Sequence, residues 1–252
     1  MRRKRSNPTA DRADWDFDKV DRPRWLHPVR GLVAPLQFIP IAEESGLVLP
    51  IGQWVLREAC RQVQEWIDTG LQATPVAVNV SSLEFRSDGF IASLSAILKD
   101  TGLDPRYLEL ELTESVLMQH ATSSASALNT LKSMGVRLAV DDFGTGYSSL
   151  SYLKRFPIDS LKIDQSFVHD ISTGTDDATI VSAVITMAKT LKKFVVAEGV
   201  ETEEQIAFLQ AHGCDEAQGY YFSKPAVAAQ FAKLLETGIA RFVPHASVSI
   251  SV

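Results

Sequence analysis

From Pro50 onward, short apolar runs alternate with longer stretches whose apolar residues recur at helical spacing. Residues 51–70 carry Trp54, Val55, Cys60, Val63, Trp66 and Ile67 on one helical face, and Gly70 stands where such a helix would stop. The same spacing predicts helices over 90–98, 125–134, around Tyr152, and over 178–191, 203–211 and 228–235. Short β-rich runs between them predict strands over 75–80, 107–112, 136–140, 160–164 and 194–198, with a last short one near 216–218.

Strict alternation of strand and helix implies a parallel sheet covered by helices. At 252 residues this is an α/β chain. A TIM-like (β/α)8 barrel is the first expectation and an open doubly wound sheet the second. The predicted strands are too few for a closed barrel, although residues 15–20 alternate and supply one more. The barrel is therefore expected to be incomplete at its N-terminal strands, with an unpaired edge there. The expected organisation is a basic disordered tail over 1–13, a barrel domain over 14–240 and a disordered tail over 241–252.

Composition narrows the chemistry. The net charge of -6 argues against DNA held by bulk positive charge, so a polyanionic ligand needs metals or a few placed cations. The two cysteines, Cys60 and Cys214, form no disulfide or zinc framework, which points to a cytoplasmic protein. No apolar run reaches membrane-spanning length. Met1-Arg2-Arg3-Lys4-Arg5 is followed by no apolar stretch and reads as a solvated tail rather than a secretory signal.

The strand ends carry the polar chemistry: Asn79, Glu111, Asp141, Asp142, Lys162, Glu198 and Gln218. Adjacent Asp141 and Asp142, followed by Phe143-Gly144-Thr145-Gly146, suit a divalent-metal site facing a phosphate, but equally a helix N-cap beside a solvated acid. Taken singly, Asn79 could cap a helix, Lys162 could be a salt-bridged core lysine and Glu198 a loop residue. Taken together at consecutive strand ends, they converge on one rim of a barrel. Such oxygen ligands suit Mg²⁺ or Mn²⁺, and a two-metal site is a recurrent solution to phosphodiester hydrolysis. Lys162 and Glu198 would orient or activate water there. A Schiff-base aldolase using Lys162 explains the clustered carboxylates poorly.

These segments together resemble the EAL domain family, bacterial phosphodiesterases of cyclic di-GMP. The likeness runs from Arg24-Trp25-Leu26-His27-Pro28 through Val78-Asn79-Val80-Ser81, Glu111-Leu112-Thr113-Glu114 and Asp141-Asp142-Phe143-Gly144-Thr145-Gly146. It continues through Leu161-Lys162-Ile163-Asp164, Ala197-Glu198-Gly199-Val200-Glu201 and Ala217-Gln218-Gly219-Tyr220. The resemblance implies a TIM-like barrel and metal-dependent opening of cyclic di-GMP to linear pGpG. It implies metal ligands at Asn79, Glu111, Asp141 and Asp142, and a water-activating pair at Lys162 and Glu198. It assigns Arg24, Glu114, Glu201 and Gln218 to substrate binding or loop support, and a homodimer contact to residues 143–150.

One departure qualifies the expected activity. Where the family carries the Glu-Ala-Leu that names it, this chain reads Val20-Asp21-Arg22-Pro23. The position of the metal-binding glutamate is Val20, and Asp21 or Asp18 could replace it only after a register slip. The resemblance thus implies a phosphodiesterase whose activity is weakened or lost. The alternative is an inactive cyclic di-GMP receptor or protein-interaction module.

Overall fold

A computed structural model of the chain describes residues 25–27, 29, 31–119, 121–145, 150–171, 175–224, 228–237 and 250–251. The strands, in chain order, are β1 (Trp25–His27), β2 (Gly31–Val33), β3 (Val76–Asn79), β4 (Leu108–Thr113), β5 (Arg137–Phe143), β6 (Ser160–Ile163), β7 (Phe194–Ala197), β8 (Glu216–Ala217) and β9 (Ile250–Ser251). The first two form an antiparallel pair. The other seven form one sheet in the order β8-β7-β6-β5-β4-β3-β9. Every pairing in it is parallel, as the alternation of elements predicts.

β4 shows why the sheet forms as it does. Leu108, Leu110 and Leu112 lie on one face at 0–1% exposure, against the helices. Glu109, Glu111 and Thr113 take the other face, so the inner surface of the sheet is polar. Helices Val48–Asp68, Phe90–Thr101 and Ala121–Met134 supply the outer layer, with Cys60, Val63, Leu94, Ile97, Leu128 and Leu131 all buried in the core. Both cysteines are free, and Cys60 is one of the core residues. No helix among the described residues is long and apolar enough to cross a membrane.

One polar clamp ties two strands together, and a capping box fixes the helix that follows β3. Asp159, just ahead of β6, accepts the Leu138 N–H at 2.8 Å and pairs with Lys132 at 2.9 Å, tying β6 to β5 and to the helix before it. The helix Ser82–Arg86, after β3, is capped by Ser81, whose hydroxyl accepts the Glu84 N–H while Glu84 receives the Ser81 N–H. The helix cap is therefore Ser81 and not Asn79.

Sequence periodicity passes over several elements, among them β1 and β2, the helix Pro35–Ser45, with Pro40 inside it, the short helices Ser82–Arg86, Glu114–Gln119 and Gln165–His169, and β9. The last lies in the segment expected to be structureless. Asp18, Val20, Asp21, Arg24 and the alternating stretch 15–20 lie outside the described residues.

Candidate active site

The polar inner face converges on Lys162. It sits within β6 at 1% exposure, where an unpaired ammonium would be very costly. Three carboxylates surround it. Glu111 Oε1, from β4, lies at 2.5 Å, and Asp141 Oδ1, from β5, at 3.6 Å. Glu198 Oε1, one residue past β7, is in direct contact. In a flat sheet β4 and β7 would stand about 14 Å apart, three strand spacings. That acids from both reach one ammonium shows how strongly the sheet curls around its inner face.

A bulge brings the paired aspartates into play. Val140 pairs with Leu161, but the next partner of β6, Ile163, is Phe143, so β5 carries one extra residue. Asp142 takes a left-handed conformation there, with φ of 51°. On a regular strand, neighbours point to opposite faces; here Asp141 faces Lys162 while half-buried Asp142 meets the Asp164 side chain. Asp142 caps no helix, since the next one begins at Leu150.

Around β7 and β8 the backbone builds a cradle for Glu198. The Glu198 N–H donates to Ile163 O at 3.1 Å, and the Gln218 N–H to Ala197 O at 2.8 Å. The Gln218 side chain donates from Nε2 to Glu198 Oε1 at 2.7 Å. Gln218 carbonyl oxygen accepts the Val200 N–H at 3.0 Å. Between them Gly219, at φ of 155°, lies so close that an added Cβ would fall 2.2 Å from Val200 O.

The electrostatics follow from three acids sharing one cation. Burial alone would lower the Lys162 pKa, but Glu111, Glu198 and Asp141 together hold it far above the usual lysine range. Glu111 is pushed up to about 8, chiefly by burial, with Lys162 opposing and Asp141 and Glu198 adding. Asp142 is pushed up to about 6 by burial and then by the Asp141 charge, as expected for neighbouring acids.

Among the described residues, no three His, Cys, Asp or Glu side chains stand grouped as a ready metal site. The Lys162 ammonium occupies the centre instead. The donors still suit a hard cation: all are oxygens, and buried Glu111 Oε2 and Asp141 Oδ1 have no hydrogen bond. A cation held by Glu111 would have to displace the proton that burial favours on it. Since that proton competes below pH 8 and not above, affinity for Mn²⁺ is expected to rise about tenfold between pH 6.5 and 7.5. Calorimetry in buffers of different ionisation enthalpy should show one proton released; an affinity flat across this range would refute the assignment.

Of the remaining predicted site residues, Asn79 is the register partner of Glu111 and stands exposed on the same rim. Glu114 is buried at 3% at the start of its helix, its carboxylate without a hydrogen bond, and lies outside the lysine cluster. Glu201 is exposed, with its N–H bonded to Gln205 Oε1. A deeper acidic layer escapes the strand-end rule. Glu109 receives a weak hydrogen bond from Ser160 at 3.4 Å, and Glu216, on β8, is pushed up to about 7 by burial and then by Glu109. The period-two spacing of Glu109 from Glu111 and of Glu216 from Gln218 was the available signal.

Comparison with known proteins decides the family. The model of the EAL domain matches residues 22–225. The chain belongs to the EAL domain family. It is 48% identical over 207 residues to the bifunctional diguanylate cyclase/cyclic di-GMP phosphodiesterase MucR of Pseudomonas aeruginosa, covering 82% of this chain and 30% of that protein. It is 41% identical over 210 residues to the cyclic di-GMP phosphodiesterase PdeR of Escherichia coli, covering 83% of this chain and 32% of that protein. The chain thus spans about a third of the length of these relatives. The solved MucR phosphodiesterase in complex with c-di-GMP superposes with a TM-score of 0.81 at 47% identity, covering 83% of this chain and 85% of that one. The FimX EAL domain of Pseudomonas aeruginosa bound to c-di-GMP superposes at 0.74 with 25% identity, covering 81% of each chain. The fold is the TIM-like barrel of EAL domains, lacking strands on its first side among the described residues. EAL phosphodiesterases are in general metal-dependent.

Proposed function

We propose that this EAL domain hydrolyses cyclic di-GMP to linear pGpG, more slowly than relatives that keep the family glutamate. The observation that carries the reading is the buried Lys162 ammonium held by Glu111, Asp141 and Glu198 on the inner rim. Asn79, Glu111, Asp141 and Asp142 would hold Mg²⁺ or Mn²⁺. The cations would neutralise phosphate charge and acidify the attacking water. Glu198, held in place by Gln218, takes the water's proton on its carboxylate. Lys162 stabilises the charge that gathers on the phosphate oxygens. Lys162, Glu111 and Asp141 are buried, where such charge interactions are stronger than in bulk water.

The reaction is placed in the cytoplasm, in keeping with the free thiols Cys60 and Cys214. The homodimer contact through residues 143–150 belongs to the same proposal and rests on the family likeness; residues 146–149 lie outside the described part.

Val20 at the glutamate position favours a second reading, a receptor that binds cyclic di-GMP without cleaving it. One experiment separates the two. With Mn²⁺, the purified chain is expected to convert cyclic di-GMP to pGpG, and Asp141→Ala is expected to lower turnover by at least a hundredfold. Tight binding in Ca²⁺ with no pGpG in Mn²⁺ would sink the enzyme reading in favour of the receptor.

A further inference from the structure

Gln205 does more than its place in a helix cap requires. It is the third residue of the helix Glu203–His212, whose cap is Thr202. Its Oε1 accepts the Thr202 N–H at 3.0 Å, and Thr202 Oγ1 accepts the Gln205 N–H at 3.3 Å. Glutamate closes such a box as well as glutamine does. Here the amide goes further. Its Oε1 also accepts the Glu201 N–H at 2.7 Å, and its Nε2 donates to Val168 O at 3.1 Å and to His169 O at 3.2 Å. Both donors thus leave the cap for another element, from a side chain only 2% exposed. An amide supplies acceptor and donors together, which a carboxylate does not.

That other element is the short helix Gln165–His169, which follows β6. The last carbonyls of a helix have no partner inside it, and two of them here are held by Gln205. The rest of this helix lies against the backbone beside two of the site residues. At Gly199, next to Glu198, an added Cβ would fall 2.6 Å from Gln165 Cβ. At Gly144, two residues past Asp142, it would fall 3.1 Å from the Phe167 ring. Glycine at both positions lets the backbone rest directly on the helix. Loop 198–202 is therefore tied to this helix twice, by Gly199 near its start and by the Gln205 amide at its end.

We propose that Gln205 is a positioning residue for Glu198. Its amide locks loop 198–202 to the helix Gln165–His169, and that helix sets where the Glu198 backbone stands. The inference rests on the reading of Glu198 as the group that takes the water's proton. It adds a residue that touches neither substrate nor metal and acts through main-chain groups alone.

The test uses the whole chain with Gln205→Glu, which keeps the capping box and the side-chain size but removes both donors. With Mn²⁺, kcat for cyclic di-GMP is expected to fall at least tenfold while KM stays within twofold. Thr202→Ala is the control for simple destabilisation: it breaks the cap and leaves the amide donors in place, so Tm falls and kcat stays within twofold. Gln165→Gly, at an exposed position, withdraws the contact on Gly199 and is expected to lower kcat at least threefold. Amide exchange supplies a readout that needs no turnover. In Gln205→Glu the peptide containing Glu198 and Val200 should exchange at least tenfold faster, while the one containing Leu108–Thr113 keeps its protection. Unchanged exchange over 198–200, or kcat falling as far in Thr202→Ala as in Gln205→Glu, would overturn the proposal. No turnover by the unsubstituted chain would strike the hydrolase reading instead, and the exchange result would still decide whether Gln205 holds the loop.

Discussion

Replacing Lys162 with methionine is expected to cost the fold about 3–5 kcal/mol at pH 8, because it leaves buried carboxylates with no counter-charge. The isosteric change opens no large cavity, so the loss reports charge rather than packing. Its pH dependence has a definite sign. Glu111 already sits at about 8 in the folded protein, against about 4.3 in an unfolded chain. A carboxyl with a raised folded pKa adds stability that is fully present below the unfolded value and is lost as pH rises through the folded one. Without Lys162 the neighbouring acids shift the same way. Urea denaturation should therefore show a clearly smaller penalty at pH 5 than at pH 8. Equal penalties at both would mean that the cluster stabilises by shape and not by charge. Turnover should fall at least a hundredfold with the same substitution.

The second large effect is expected from packing rather than charge, at Gly219. A Cβ there would lie 2.2 Å from Val200 O and 2.3 Å from Val200 N. These are backbone atoms that cannot swing aside, so Gly219→Ala should cost about 2–4 kcal/mol in strain and overpacking. Gly102→Ala is the matched control. Its φ is 73°, yet nothing lies within 4 Å of the added methyl. It should lose about 1 kcal/mol, the backbone cost alone. Thermal unfolding of the two variants gives the comparison, with a difference in Tm of several degrees expected. Activity adds a second reading. Gly219→Ala displaces Gln218 and so loosens Glu198, lowering kcat, whereas Gly102→Ala should leave kcat intact.

The alternation of elements was legible because the outer face of each strand is apolar at period two and each helix carries its stripe at period 3.6. The candidate site was legible because polar residues at strand ends break those patterns. Glu111, Asp141, Lys162, Glu198 and Gln218 all stand out against apolar neighbours in this way. What escaped lies in geometry that no local window contains. The extra residue in β5 that re-aims Asp142 shows only when β5 and β6 are set side by side. The Ser81 cap was masked by Asn79, an equally good capping residue two positions earlier. Glu216 and Glu109 meet across an interior that exists only after the sheet has curled. The helix Pro35–Ser45 was hidden by Pro40, which ordinarily argues against a helix interior.

The left-handed backbone at Asp142 puts two filters on a single position. The proposed metal chemistry calls for an oxygen donor, and the backbone admits glycine, asparagine or aspartate with ease and little else. Glutamate meets the first filter and fails the second; glycine does the reverse. Asparagine passes both in part, keeping the bulge and a carbonyl oxygen while discarding the charge. An alanine scan at this site would thus merge a conformational penalty with a chemical one, and Asp142→Asn is the substitution that separates them. The same reasoning narrows the routes by which this position can change over evolutionary time to a single conservative step.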